Sequence, residues 1–161
     1  MCGRYTLTHA ERLALFNSKG IDLTPRYNIA APTKVPILRN DTPDTLSMAH
    51  WGFIPFFTKA NAKKGFAPIN ARRETVATSG MFRSAFQAKR CLIPADGFIE
   101  WQTVDGKKLP HWFRMHDDSL FFFAGLWPAG SLRRTHRYWR AAPSSQARLI
   151  RWCVQFTTVC P

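Results

Sequence analysis

The chain has 161 residues, with 23 Lys and Arg against 10 Asp and Glu, and a formal net charge of +13. That length suits a single domain able to bury a core, and a composition 45% apolar and 14% aromatic excludes wholesale disorder. No window approaches the ~18 uninterrupted apolar residues of a membrane span, and the opening MCGRYTLTHAER lacks the apolar centre of a secretory signal, so a cytoplasmic, intracellular location is expected.

Thr8 and Glu11 have the T-x-x-E spacing of a capping box, which predicts a short helix carrying Leu13, Leu15 and Phe16. Gly20 is its expected stop. Pro25, Pro32 and Pro36 then exclude a long helix. Val35 to Leu38 and Leu46 to Phe53 read as strands joined by a turn over Asn40–Asp44. Pro55 to Gly65 is a loop bearing Phe56, Phe57, Lys59, Lys63 and Lys64, and Glu74 to Lys89 holds one or two short helices interrupted near Gly80. Leu92 to Gln102 and Leu109 to Met115 read as strands flanking Asp105-Gly106, a strong hairpin signal. Ser119 to Trp127 is a further strand, after a turn at Asp117-Asp118. Several strands with few short helices predict a single α+β domain with a curved, barrel-like, mostly antiparallel sheet.

Four cysteines, Cys2, Cys91, Cys153 and Cys160, include no C-x-x-C pair, and the five His do not join them at zinc spacing. Neither a disulfide framework nor a metal or other cofactor is expected. Cys91 lies in an apolar run and reads as a small buried hydrophobe. Cys2 is different. Removal of Met1 makes it N-terminal, with an α-amine of ordinary pKa about 7.7–8.0 and a thiol of about 8.5 on adjacent carbons. Such a pair condenses with an aldehyde to an imine and closes to a five-membered thiazolidine. Alternatively the thiol attacks an amide carbonyl with its own amine as base. Position alone also fits an incidental cysteine.

Further along, Asn70 is a neutral donor and acceptor able to hold the N-terminus or an oxyanion. Arg72 is a fork donor for phosphate. Glu100 alternates with Phe98 and Trp101 in an apolar strand, where burial would raise its pKa toward acid–base use. Each has a plain structural alternative: a capped turn, a surface ion pair of Arg72 with Glu74, and a solvent-facing strand Glu.

These residues stand within a longer pattern. Met1-Cys-Gly-Arg-Tyr, Arg26-Tyr-Asn-Ile-Ala-Ala-Pro, His50-Trp-Gly-Phe-Ile-Pro, Ile69-Asn-Ala-Arg-Arg-Glu-Thr, Arg90-Cys-Leu-Ile-Pro, Asp96-Gly-Phe-Ile-Glu-Trp and Phe123-Ala-Gly-Leu-Trp occur in this order. The set resembles the SOS-response-associated peptidase (SRAP) family over residues 1–127. The resemblance implies a monomeric DNA-damage protein that binds single-stranded DNA and single-/double-strand junctions, away from membranes and without a metal. It implies covalent trapping of abasic sites, as a thiazolidine between the N-terminal Cys and the ring-opened sugar aldehyde. By that resemblance Cys2 is the nucleophile, freed by the family's own removal of Met1. Asn70 positions the N-terminal Cys and the opened sugar, and Glu100 is the acid–base carboxylate. Arg4 and Arg72 match contacts to flanking phosphates, and Pro32, Phe56 and Phe57 fall where the family sets apolar wedges against bases. Gly80 stands where relatives often place a basic residue, which removes one phosphate contact.

The resemblance stops at Trp127, which divides the chain into an SRAP-like domain (1–127) and a divergent tail (128–161). The body carries 17 Lys and Arg and 10 acids, a net of +7 that suits a polyanionic partner. The tail holds Arg133, Arg134, Arg137, Arg140, Arg148 and Arg151, with no Lys and no acid. The family continues to a His-x-Arg-x-Pro motif that is missing here, and His136 is a poor match for it. This pattern suggests a shifted reading frame or a degraded end rather than a DNA-binding arm. Two other readings stand beside the leading one. Met-Cys-Gly also opens N-terminal-nucleophile glutamine amidotransferases, and the missing His fits a DNA-binding relative without catalysis.

Overall fold

The computed structural model describes residues 3–54, 67–127 and 147–152, the last as backbone alone. Cys2 and the loop bearing Phe56, Phe57, Lys59, Lys63 and Lys64 lie outside the described residues. The strands are β1 (Arg4–Leu7), β2 (Arg26–Ala30), β3 (Lys34–Arg39), β4 (Thr42–Trp51), β5 (Asn70–Ala71), β6 (Arg90–Ala95), β7 (Gly97–Val104), β8 (Lys107–Arg114), β9 (Phe121–Leu126) and β10 (Ala147–Trp152). A 3-10 helix spans Ala10–Leu15, and two short helices, α1 (Arg73–Val76) and α2 (Arg83–Ala88), lie between β5 and β6. The α+β class, the mostly antiparallel pairing and the few short helices expected from the sequence are all present.

The strands form two sheets. One has the order β2-β1-β7-β8 and is antiparallel throughout. The other has the order β4-β3-β6-β9-β10-β5, in which β10 runs antiparallel to β9 and parallel to β5, and β10 also pairs in parallel with β4. β10 lies in the segment set apart above as a tail. Tyr5, Ile29, Val35, Ile37, Trp51 and Ile93 are almost wholly buried in the main core. Tyr5 meets Trp51 and Phe123 edge-on, at ring centroid distances of 5.7 and 6.0 Å, a preferred geometry for aromatic pairs.

Asp96 corrects two expectations. The continuous strand expected over Leu92 to Gln102 is two strands, because the chain leaves one sheet after Ala95 and enters the other at Gly97. Asp96 is buried at that crossing. Its carboxylate accepts hydrogen bonds from the hydroxyls of Thr6 (2.6 Å) and Thr8 (2.8 Å), and from the backbone N–H of Thr8 and of His9 (2.8 Å). The capping box expected at Thr8 and Glu11 therefore does not form. The 3-10 helix starts after His9 without a side-chain cap of its own, and Asp96 from a distant strand takes the amides leading into it. Burial opposes the ionised carboxylate, but the bonds from Thr6, His9 and Thr8 outweigh it and hold the Asp96 pKa below the ordinary value.

Candidate functional site

The β7–β8 hairpin organises the site. Asp105 and Gly106 both have positive φ, 49° and 75°, as a two-residue turn of the favoured hairpin hand requires. The turn fixes the register, so Val104 faces Lys107, Glu100 faces His111, Ile99 faces Trp112 and Phe98 faces Phe113. Phe98 and Phe113 stack at 5.1 Å, and Phe98 reaches Phe121 and Phe123 on β9. That face is anchored in the core. Two residues farther from the core on the same face, half-buried Glu100 stands opposite exposed His111. Together with Trp101, Gln102 and Phe113 they line an open cleft of about 350 Å³.

Arg4 belongs to the other face. It pairs with Ile99 on β7, which pairs with Trp112 on β8, so the three form one cross-strand row. The Arg4 guanidinium donates to Asn28 Oδ1 at 2.7 Å. Arg4 and Glu100, both picked out in the sequence, thus lie on opposite faces of one sheet. Gly3 precedes Arg4 as Glu100 follows Ile99, so β1 starts beside the Glu100 position of β7. Pro32 is exposed, two residues past the Ala30 that pairs with Arg4.

Asn70 and Arg72 come from the other sheet. Trp51 Nε1 donates to the Ile69 carbonyl at 2.8 Å, and the Phe53 N–H donates to Pro68 at 2.9 Å, so the end of β4 holds the segment entering β5. Ala71 packs in a second small core with Phe53, Val76, Ala85 and Leu126. That packing fixes the backbone on which half-buried Asn70 and exposed Arg72 are displayed. Arg72 occupies the N-cap of α1, where its carbonyl accepts the Val76 N–H at 3.0 Å. Cys91 is buried, and burial pushes its thiol pKa far up, which leaves it unreactive. Among the described residues, no group of three or more His, Cys, Asp and Glu could hold a metal ion.

His111 was not among the residues singled out by sequence. The signal for it was present, because a two-residue turn at Asp105-Gly106 fixes which residue of β8 opposes Glu100.

The sequence profile of the SOS response associated peptidase (SRAP) family matches residues 1–151. The chain belongs to that family. It is 38% identical over 136 residues to the abasic site processing protein YoaM of Bacillus subtilis, an alignment covering 79% of this chain and 59% of that protein. It is 35% identical over 136 residues to the abasic site processing protein YedK of Escherichia coli, covering 78% and 59%. The chain therefore spans about three fifths of the length of these relatives. In fold it is similar to a protein of Bacteroides thetaiotaomicron known from its crystal structure, with a TM-score of 0.72 at 20% identity, covering 94% of this chain and 67% of that one.

Proposed function

We propose that the chain processes abasic sites in single-stranded DNA, and at junctions with duplex, by covalent capture through Cys2. The observation that carries this reading is the carboxylate-bearing cleft of Glu100, beside which β1 starts two residues after Cys2, in a member of the SRAP family. Loss of Met1, catalysed by the chain itself, frees the Cys2 amine. That amine adds to the aldehyde of the ring-opened sugar and expels water as an imine. The thiol then adds across the carbon–nitrogen double bond, its sulfur bonding to carbon and its proton passing to nitrogen, which closes a thiazolidine. Glu100 shuttles protons during ring opening and dehydration. Asn70 orients the amine and the opened sugar. Arg4 and Arg72 neutralise flanking phosphates, while Pro32, Phe56 and Phe57 pack against bases. Holding the aldehyde beside Cys2 makes capture effectively unimolecular.

Incubation with an abasic oligonucleotide, read on a denaturing gel and by intact mass, tests this. The expected product is an adduct of the Met1-free chain, lost in Cys2→Ala. An adduct that persists in Cys2→Ala would falsify the assignment. Binding on a native gel that weakens steeply with salt, with no adduct under denaturing conditions, would favour a relative that binds DNA without catalysis.

We also propose that the absence of the His-x-Arg-x-Pro motif after Trp127 reflects a change of reading frame. Phe156-Thr157-Thr158-Val159-Cys160-Pro161 can be encoded as TTC ACG ACC GTA TGC CC followed by any base. Read from the third base of the Phe156 codon, the same bases spell His-Asp-Arg-Met-Pro, a match to His-x-Arg-x-Pro. Each codon in that string is one permitted choice for its residue. Sequencing the gene tests the reading directly. The shifted motif requires TTC at Phe156, ACC at Thr158 and TGC at Cys160, and any other codon at one of the three overturns it.

A further inference from the structure

The face of the four-stranded sheet that carries Arg4 has a second, smaller cleft, of about 250 Å³, lined by Thr6, Thr8, Tyr27, Ile99 and Trp112. Its walls are unusual. Tyr27 is 72% exposed and Trp112 53% exposed, although large aromatics normally contribute their area to cores. Local geometry accounts for both. Between Tyr5 and Leu7 of β1 the partner strand β2 steps three residues, from Ile29 to Arg26, so β2 carries one extra residue there. Such a bulge re-aims a side chain, and it turns Tyr27 outward. Trp112 is seated by its edge: its indole N–H donates to Thr6 Oγ1 at 3.3 Å, and Thr6 in turn donates to Asp96. A Cβ on Gly97 would lie 2.1 Å from that indole nitrogen, so only glycine lets the ring approach the sheet so closely.

The floor is apolar at Ile99, and two guanidinium groups stand at the rim, that of Arg114 paired with the Asp118 carboxylate. Arg4 stands across the same row, and Arg114, two residues along β8 on the same face, lies 5.1 Å from the Trp112 ring centre. Exposed aromatic faces framed by guanidinium groups match the chemistry of single-stranded nucleic acid, whose bases stack while its phosphates meet the charges. We propose that this cleft binds an unpaired DNA base, on the opposite face of the sheet from Glu100, and so grips the strand away from the reacting sugar. The inference rests on the reading of DNA as the partner, and it adds a base-binding position on Tyr27 and Trp112 to the residues already assigned.

The test uses intact DNA, so that it does not depend on capture. A fluorescein-labelled oligothymidylate of about 12 nucleotides, within the usual span of single-strand sites, is titrated with the full chain. Tyr27→Ala is expected to weaken binding by about 10-fold, the loss typical of removing one stacking residue, with an unchanged melting temperature. Trp112 is also tied to Thr6, so its role is read without mutation. The oligomer is made with 5-iodouracil, irradiated on the wild-type chain, and the attachment site is located by mass spectrometry. Attachment at Tyr27 or Trp112 supports the cleft. Unchanged affinity in Tyr27→Ala, or attachment confined to other residues, overturns it. A wild-type chain that binds this oligomer through Tyr27 yet forms no adduct with abasic DNA would sink the covalent chemistry and leave the cleft standing.

Discussion

The two faces of the β7–β8 hairpin are built from alternate residues of the same two strands, yet they carry different chemistry. One face holds Phe98 against the core, with exposed Phe113 stacked on it, and then Glu100 opposite His111. The other holds Ile99 and Trp112 in a row with Arg4. Because side chains alternate with a period of two, a single turn at Asp105-Gly106 sets both faces at once. Glu100 and Trp112, distant in sequence, are thereby placed in adjacent cross-strand pairs on opposite sides of a sheet. The contrast teaches that the site is a property of register rather than of any one motif.

Asp96 is where both faces fail together. It fixes Thr6, which seats Trp112, and it also anchors the start of β7 and the amides of Thr8 and His9. Asp96→Ala strands the buried Thr6 hydroxyl and the part-buried donors of Thr8 and His9, at up to about 1–3 kcal/mol each. A loss of about 4 kcal/mol is expected, or a melting temperature lower by roughly 10 °C in a chain of this size. The folded-state pKa of Asp96 lies below its unfolded value. Its contribution is therefore fully present above the unfolded value of about 3.9 and is lost as pH falls through the folded one. Acid unfolding of the wild type should show this loss, and Asp96→Ala should flatten it. Equal acid sensitivity in the two chains would rule out Asp96 as its source.

Glu100→Gln separates the faces. It removes a proton-transfer group while keeping the shape of the side chain, so capture of an abasic oligomer should slow by about 100-fold. Affinity for intact single-stranded DNA should stay as it was, measured by anisotropy. Gly97→Ala does the reverse. Its new Cβ collides with Trp112 and the Thr6 hydroxyl, on the face opposite Glu100, and a clash of this kind costs about 2 kcal/mol. The expected signature is a changed tryptophan emission and weaker binding of intact DNA, with a smaller effect on the rate of capture at saturating DNA. Gly106→Ala is milder. An alanine at φ 75° costs about 1 kcal/mol, and because the turn serves both strands, both readouts should move together.

Much of this arrangement was legible in the sequence. Asp105-Gly106 announced the hairpin, and the alternation from Phe98 to Trp101 announced a strand with two unlike faces. The interruption of the strand at Asp96 was not legible, because it depends on Thr6, Thr8 and His9, nearly ninety residues away. The same tertiary contact displaced the local capping signal at Thr8 and Glu11. Tyr27 was hidden for a related reason. Its outward turn comes from a bulge in pairing with β1, and no local residue pattern of β2 shows where a partner strand slips. Asn70 and Arg72 were visible as types, but what positions them is Trp51 at the end of β4 and Phe53 just beyond it.

The pairing of Glu100 with His111 makes the smallest and sharpest prediction. Residues directly opposite on one face of an antiparallel pair interact by about 0.2–1 kcal/mol. If His111 supports the carboxylate during capture, the effects of Glu100→Gln and His111→Gln on the capture rate are not additive. The double variant should be less impaired than the two single effects predict, by a coupling of about 0.5 kcal/mol, or roughly twofold in rate. His111→Gln alone should leave binding of intact DNA unaltered, since its partner face is turned away from Trp112. Strict additivity would mean that the register brings the two side chains opposite one another without joining them in the reaction, and Glu100 would then act without its cross-strand neighbour.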